Sequence, residues 1–231
     1  MIRSRHRSSI WLVLVFASVL LSGCVDGPFY SLWYRKQWLD DEKFGPTLFT
    51  RLEELENLRD EAGRMTEQQQ AELARRLTHS VTEDASAVYR AEAARTLGSL
   101  RTNLAVEGLQ KAAADQEKSV RIAACEAWGE RGDHLAMEVL GRVLRSDQDL
   151  DVRMAAAREL GKFEDPAAVQ SLAVALDDSD PALQFRAIES LRRVTGEDFG
   201  NSIPAWRQFV RGEPVDRPEP PSIAQRLRTL F

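Results

Sequence analysis

The sequence predicts an all-α fold, a right-handed α-solenoid of stacked helical hairpins preceded by a signal peptide. Three observations predict it. Four stretches repeat one pattern: DASAVYRAEAARTLG, DQEKSVRIAACEAWG, DQDLDVRMAAARELG and DDSDPALQFRAIESLR. Their acidic starts, Asp84, Asp115, Asp147 and Asp178, lie 31, 32 and 31 residues apart. Apolar residues inside each unit recur at helical spacing, as Val120, Ala124, Ala127 and Trp128 do, followed by Leu135, Val139, Leu140 and Val143. A fixed period of this size identifies a stack of small units rather than one globular core.

The chain opens with MIRSRHRSSIWLVLVFASVLLSGC. Arg3, Arg5 and Arg7 form a basic start without an acid, and Ile10 to Leu21 is an apolar run of 12 residues. A membrane span needs about 20 residues, so the run fits the apolar core of a signal peptide over residues 1–23. Leu21-Ser22-Gly23-Cys24 matches the bacterial lipobox pattern, which by resemblance implies cleavage between Gly23 and Cys24 and a lipid on the Cys24 thiol. Two or more acyl chains make such attachment stable. The implied location is exported and lipid-anchored. Val25, where an Asp would resemble an inner-membrane retention signal, favours the periplasmic face of the outer membrane in a two-membrane cell.

Residues 24–46 form an aromatic-rich tether with Phe29, Tyr30, Trp33, Tyr34, Trp38 and Phe44. These rings either pack over the end of the stack or sit as an interfacial belt beside the anchor. Residues 47–80 read as an N-terminal capping hairpin out of register with the later units. Leu48, Leu52, Leu55 and Leu58 stripe its first helix. Thr66-Glu67-Gln68-Gln69 is a capping-box pattern opening the second, which is expected to run to about His79.

Residues 81–211 hold the four repeats. Gly98, Gly129 and Gly161 close the first helices, where a C-terminus favours positive φ. Asn103, Asp133 and Asp165 stand at the N-cap of the second helices, and Pro166 follows Asp165 at the first helical position. Leu109, Leu140, Leu172 and Ile203 mark the second helices at steps of 31, 32 and 31. The extra residue therefore lies between Leu140 and Asp147, and a loop is expected there. Larger apolar residues, Trp206 and Phe209, suit the last helix to a capping role. Residues 212–231 read as a Pro-rich linker and a short C-terminal helix with Ile223, Leu227, Leu230 and Phe231 on one side. That helix either docks on the stack or serves as a binding peptide.

The pattern D-x5-R-x-x-A, with Leu-Gly closing the helix, resembles short bacterial HEAT-type repeats, of the kind also found in bilin-lyase-like HEAT proteins. The resemblance spans residues 81–211. It implies a hydrogen-bonded structural ladder of Asp84, Arg90, Asp115, Arg121, Asp147 and Arg153, ending where Gln184 replaces the fourth Arg.

No motif points to chemistry or a cofactor. The mature chain keeps His79 and His134 in different units, without metal-ligand spacing. HEAT-type hydroxylases need paired His-Glu ligands, which these positions lack. Asp147-Gln148-Asp149-Leu150-Asp151 lacks the glycine and final acid of a calcium loop and reads as a turn before an N-cap Asp151. Cys125 lies among alanines as a small core residue. The formal charge of −5 becomes −8 once residues 1–23, with three Arg and no acid, are removed. That argues against nucleic acid, which needs a basic face.

Two functions follow. The first is a membrane-anchored scaffold for protein–protein interaction in the cell envelope, non-enzymatic, whose concave second-helix face carries Glu107, Lys111, Glu138, Arg142, Gln170 and Val174. The second is a lyase- or chaperone-type accessory to an enzyme or cofactor, which needs a cleft with clustered titratable groups.

Overall fold

The computed structural model describes residues 45–215. The expected signal peptide over 1–23, Gly23, Cys24, most of the expected tether over 24–46 and the expected C-terminal helix lie outside the described residues. The described chain holds ten α-helices: α1 Leu48–Glu61, α2 Glu67–Glu83, α3 Ala87–Ser99, α4 Asn103–Ala112, α5 Lys118–Arg131, α6 His134–Ser146, α7 Leu150–Leu160, α8 Pro166–Ala173, α9 Pro181–Thr195 and α10 Ile203–Val210. Short 3-10 turns follow α1 and α8, at Ala62–Arg64 and Val174–Asp177. The only extended pairing among the described residues is an isolated bridge between Phe199 and Asn201. No described helix is long and apolar enough to cross a membrane.

The helices form an α-solenoid. First helices α3, α5, α7 and α9 stack in one layer, and α2, α4, α6, α8 and α10 line a second. One apolar core runs between the layers, from Leu55 through Leu97, Trp128 and Leu160 to Leu191 and Trp206. No single hairpin could bury its stripe alone, so the core exists only because the units stack.

Caps set the helix starts. Thr66 and Gln69 form the capping box, and α2 continues past His79 to Glu83 because nothing interrupts its apolar face. Asp133, Asp165 and Asp180 accept the N–H of Ala136, Ala167 and Ala182. Two caps differ from expectation. Thr102, not Asn103, caps α4 through a hydrogen bond from the Ala105 N–H at 3.1 Å. Asp149, not Asp151, caps α7, because its carboxylate reaches the Asp151 N–H at 2.9 Å. In each case the chain enters the helix one or two residues before the polar residue singled out.

The recurring glycines are not left-handed C-caps. Gly98 and Gly129 lie within α3 and α5, and Gly161 follows α7 with φ −66°. Positive φ falls instead on Gly132 and Gly196, after α5 and α9. Gly98, Gly129 and Gly161 serve close approach between successive first helices. A Cβ on Gly98 would stand 2.9 Å from the Ala127 backbone, and one on Gly161 2.8 Å from the Ser190 side chain. One on Gly129 would overlap the buried Glu159 carboxylate.

The extra residue does not make a loop. α6 runs unbroken to Ser146, and the Asp147 N–H closes an α-type bond to Val143 at 3.0 Å. In the shorter units the equivalent Asp115 and Asp178 N–H groups close tighter bonds to Ala112 and Ala175, both at 3.3 Å. Exchanging a tightened last turn for a regular α-helical one absorbs one residue, so the next unit keeps its phase.

Candidate functional site

The ladder residues share one repeated geometry. Asp84, Asp115, Asp147 and Asp178 each accept the backbone N–H two residues on, at 2.9, 2.8, 2.9 and 2.8 Å. Each thereby shapes the turn into the next first helix. The Arg six residues later turns back to the same Asp's carbonyl: Arg90 to Asp84 at 2.9 Å, Arg121 to Asp115 at 2.9 Å, Arg153 to Asp147 at 3.1 Å. Its remaining donors reach forward to the next unit. Arg90 grips Asp115 at 2.8 and 2.9 Å, and Arg121 grips Asp147 at 2.8 and 3.0 Å. Arg153 only approaches Asp178, at 3.6 Å.

Gln184 supplies the backward half alone, its amide donating to the Asp178 carbonyl at 2.7 Å. The planar guanidinium is what allows one side chain to serve two units at once. Burial works against the charge of Asp115, yet the Arg90 fork, the Glu117 N–H and the Arg121 charge outweigh it and hold its pKa below the ordinary range. Asp84 behaves alike through Arg51 and the Ser86 N–H.

Arg51 was not singled out in the sequence. It sits on α1, pairs with Asp84 and stacks over Tyr89 at 3.8 Å. From there Leu55 is buried, and its carbonyl accepts from the Thr96 hydroxyl at 3.2 Å. The capping hairpin, out of register in sequence, thus enters the ladder in space.

A second run of ion pairs crosses the first helices: Arg59 to Glu92 at 2.7 Å, Arg95 to Glu126 at 2.9 Å and Arg158 to Glu126 at 3.0 Å. Its signal was present in the sequence. Arg95, Glu126, Arg158 and Glu189 follow the repeat steps with alternating sign. Burial, then the charges of Asp147 and Glu159, push the Cys125 thiol up to about 12, so it stays protonated as a core residue.

The second-helix residues form an exposed row. Glu107 pairs with Lys111 at 2.8 Å on α4. Glu138 turns to His134 Nδ1 at 3.4 Å on α6. Arg142, one turn further, has no carboxylate partner among the described residues, and neither has Arg145. On α8 the Gln170 amide donates to the Val210 carbonyl at 3.5 Å. Val174, 45% exposed, lies just past α8 in the 3-10 turn rather than on the helix.

A cleft of about 410 Å³ opens in this row between α4 and α6. Ala113, Ala114, Val139 and Val143 form half of its lining, and Gln110, Arg142, Ser146 and Asp147 the other half. The neighbouring second-helix pairs close on small residues. A Cβ on Gly108 would stand 2.6 Å from Thr78 of α2, and one on Gly141 3.0 Å from Ser171 of α8. By repeat register, Val139 replaces Gly108 and Gln110 replaces Gly141 between α4 and α6. The bulk is reversed at that one junction, and α6 also runs a regular turn past the tightened end of α4.

Among the described residues no group of three His, Cys, Asp or Glu side chains could hold a metal ion. A family model described as HEAT repeats matches residues 74–158 and again 137–205. No curated protein matches the chain significantly.

Proposed function

The chain belongs to the HEAT-repeat family, and from that premise we propose that it is a lipid-anchored scaffold that binds a protein partner in the cell envelope through its second-helix face. The observation that carries this reading is the division of labour between the two layers. The repeated geometry of Asp and Arg is spent within the stack, where both groups are largely buried and mutually hydrogen-bonded. The exposed row Glu107, Lys111, Glu138, Arg142, Gln170 and Val174 makes a single side-chain hydrogen bond to another unit among the described residues, from Gln170 to the Val210 carbonyl, so most of it is available to a partner. A row of mixed charge suits a polar protein surface, whereas small-molecule sites gather convergent polar groups. The α4–α6 cleft holds a single unpaired charge. An accessory of lyase or chaperone type would need several titratable groups there.

The anchor rests on the sequence: a basic start, a 12-residue apolar run and Leu21-Ser22-Gly23-Cys24. Cys24→Ala should leave the protein in the soluble fraction after cell disruption; if it stays with the membranes, the anchor is wrong. Detergent extraction of the wild type should co-purify one protein partner in fixed ratio. Lys111→Glu combined with Arg142→Glu should release that partner. A pigment or metal ion bound to the purified protein, in place of a protein, would favour the accessory function.

A further inference from the structure

We propose that the α4–α6 cleft is the anchoring subsite of the scaffold, and that it takes an apolar side chain from a partner segment carrying an acidic residue within one helical turn. This rests on the scaffold reading. The cleft is the one junction in the second-helix layer where the repeat's small residues are reversed into Val139 and Gln110, so its opening is written into the sequence. Val143, Ala113 and Ala114 leave apolar surface to be covered between Gln110, Arg142, Ser146 and Asp147, over the buried Val139. Apolar surface set in a concave place on a polar face is where binding energy concentrates, with a surrounding rim that excludes water.

The charge of the occupant follows from what is already neutralised. Glu107 is held by Lys111 at 2.8 Å, and Asp147, which also lines the cleft, by the Nε and Nη2 groups of Arg121. Arg142 lines the cleft with no carboxylate partner among the described residues. A protein of net charge −5 thus presents one uncompensated guanidinium at this opening. A carboxylate meeting the Arg142 fork satisfies it, and a basic segment is repelled.

A photo-crosslinking residue placed at Ala114 or at Gln170 of the full chain, in the cells that make it, tests this. Both positions are exposed, so neither replacement burdens the core. The expected result is a cross-link from position 114 to a partner segment in which mass spectrometry finds an apolar residue and an Asp or Glu within one turn. Its yield should fall about tenfold with Arg142→Glu, the scale of one lost charge-assisted contact, and hold with Val174→Asp.

Cross-links from position 170 without any from 114 would overturn the cleft and leave the scaffold standing. Capture of a second copy, of residues 222–231 of the same chain, or of a basic segment would also overturn it. Silence at both positions would remove the scaffold reading as well.

Discussion

Gly98 and Gly63 are both glycines in helical backbone, and their surroundings give them opposite roles. A methyl group on Gly98 would meet the Ala127 Cα at 2.9 Å, so two first helices would have to move apart. Nothing lies within 4 Å of the same position on Gly63. Gly98→Ala should therefore destabilise the protein by about 2 kcal/mol through overpacking. Gly63→Ala should stabilise it by about 0.5 kcal/mol, since it restricts only the unfolded chain. Urea unfolding of both variants checks the pair, and equal effects would mean that first-helix spacing is not set by that glycine. The aspartates make a pH-dependent case. Asp84 and Asp115 have pKa values below the ordinary 3.8. A depressed folded-state pKa contributes stability above the unfolded value, and that contribution is lost as pH falls through the folded one. Stability should stay level from neutral to about pH 4 and decline below it. Asp115→Asn should cost about 2 kcal/mol at pH 7, the scale of hydrogen bonds to a charged group. The difference from wild type should shrink as pH falls below about 4, where the unfolded carboxylate takes up its proton before the native one does. A constant difference across that range would detach the acid transition from this rung.

The ladder is a property of elements, because each rung ties one first helix to the turn that starts the next. Its rungs are unequal. Arg121 and Asp147 are 8% and 9% exposed with two short hydrogen bonds, whereas Arg153 and Asp178 are 18% and 23% exposed and 3.6 Å apart. Breaking the first leaves a buried carboxylate without its partner. Arg121→Ala should accordingly cost about 3 kcal/mol, and Arg153→Ala about 1 kcal/mol, in the range of exposed pairs. Thermal unfolding of the two variants side by side measures the ratio. The Asp–Arg motif was legible in the sequence because it repeats with fixed identity. The alternating row of Arg95, Glu126, Arg158 and Glu189 was equally periodic, yet its sign reverses at each step, so a search for repeated identity passes over it. The glycines were legible as repeats and misleading as caps. Gly at the end of a helical pattern serves either positive φ or close approach, and only the neighbouring helix decides which. The α4–α6 cleft needed two interfaces compared, since neither Gln110 nor Val139 is unusual alone.

At the scale of the molecule, stability in a stack is a sum of unit terms and neighbour terms, so damage at one end should stay there. The C-terminal end is closed by different means from the rest. Gln184 makes no forward rung, and the connector after α9 is held instead by Asp198, which accepts the Gly200 N–H at 2.9 Å and Arg192 at 3.1 Å. Trp206 is fully buried, donates its indole N–H to the Gly200 carbonyl at 2.9 Å, and meets Phe199 edge-on at 5.0 Å and Phe209 at 5.9 Å. Arg207 adds a bond to the Leu176 carbonyl at 2.7 Å, which binds α10 back to the turn after α8. This cluster does with packing what the ladder does elsewhere with charge. Trp206→Ala should remove about 4 kcal/mol from the last unit, by lost contact and the cavity left behind. Hydrogen exchange should then show α9 and α10 losing protection first and most. α2, α3 and α4 should keep theirs, being three interfaces away and held by Arg51, Arg90 and the Thr78 bond to Leu104 at 2.9 Å. Gly98→Ala should produce the mirror image, with protection lost around α3 and α5 and retained in α10. If either variant instead lowers protection evenly along the chain, the units fold as one cooperative block, and the exposed row moves as a single rigid surface.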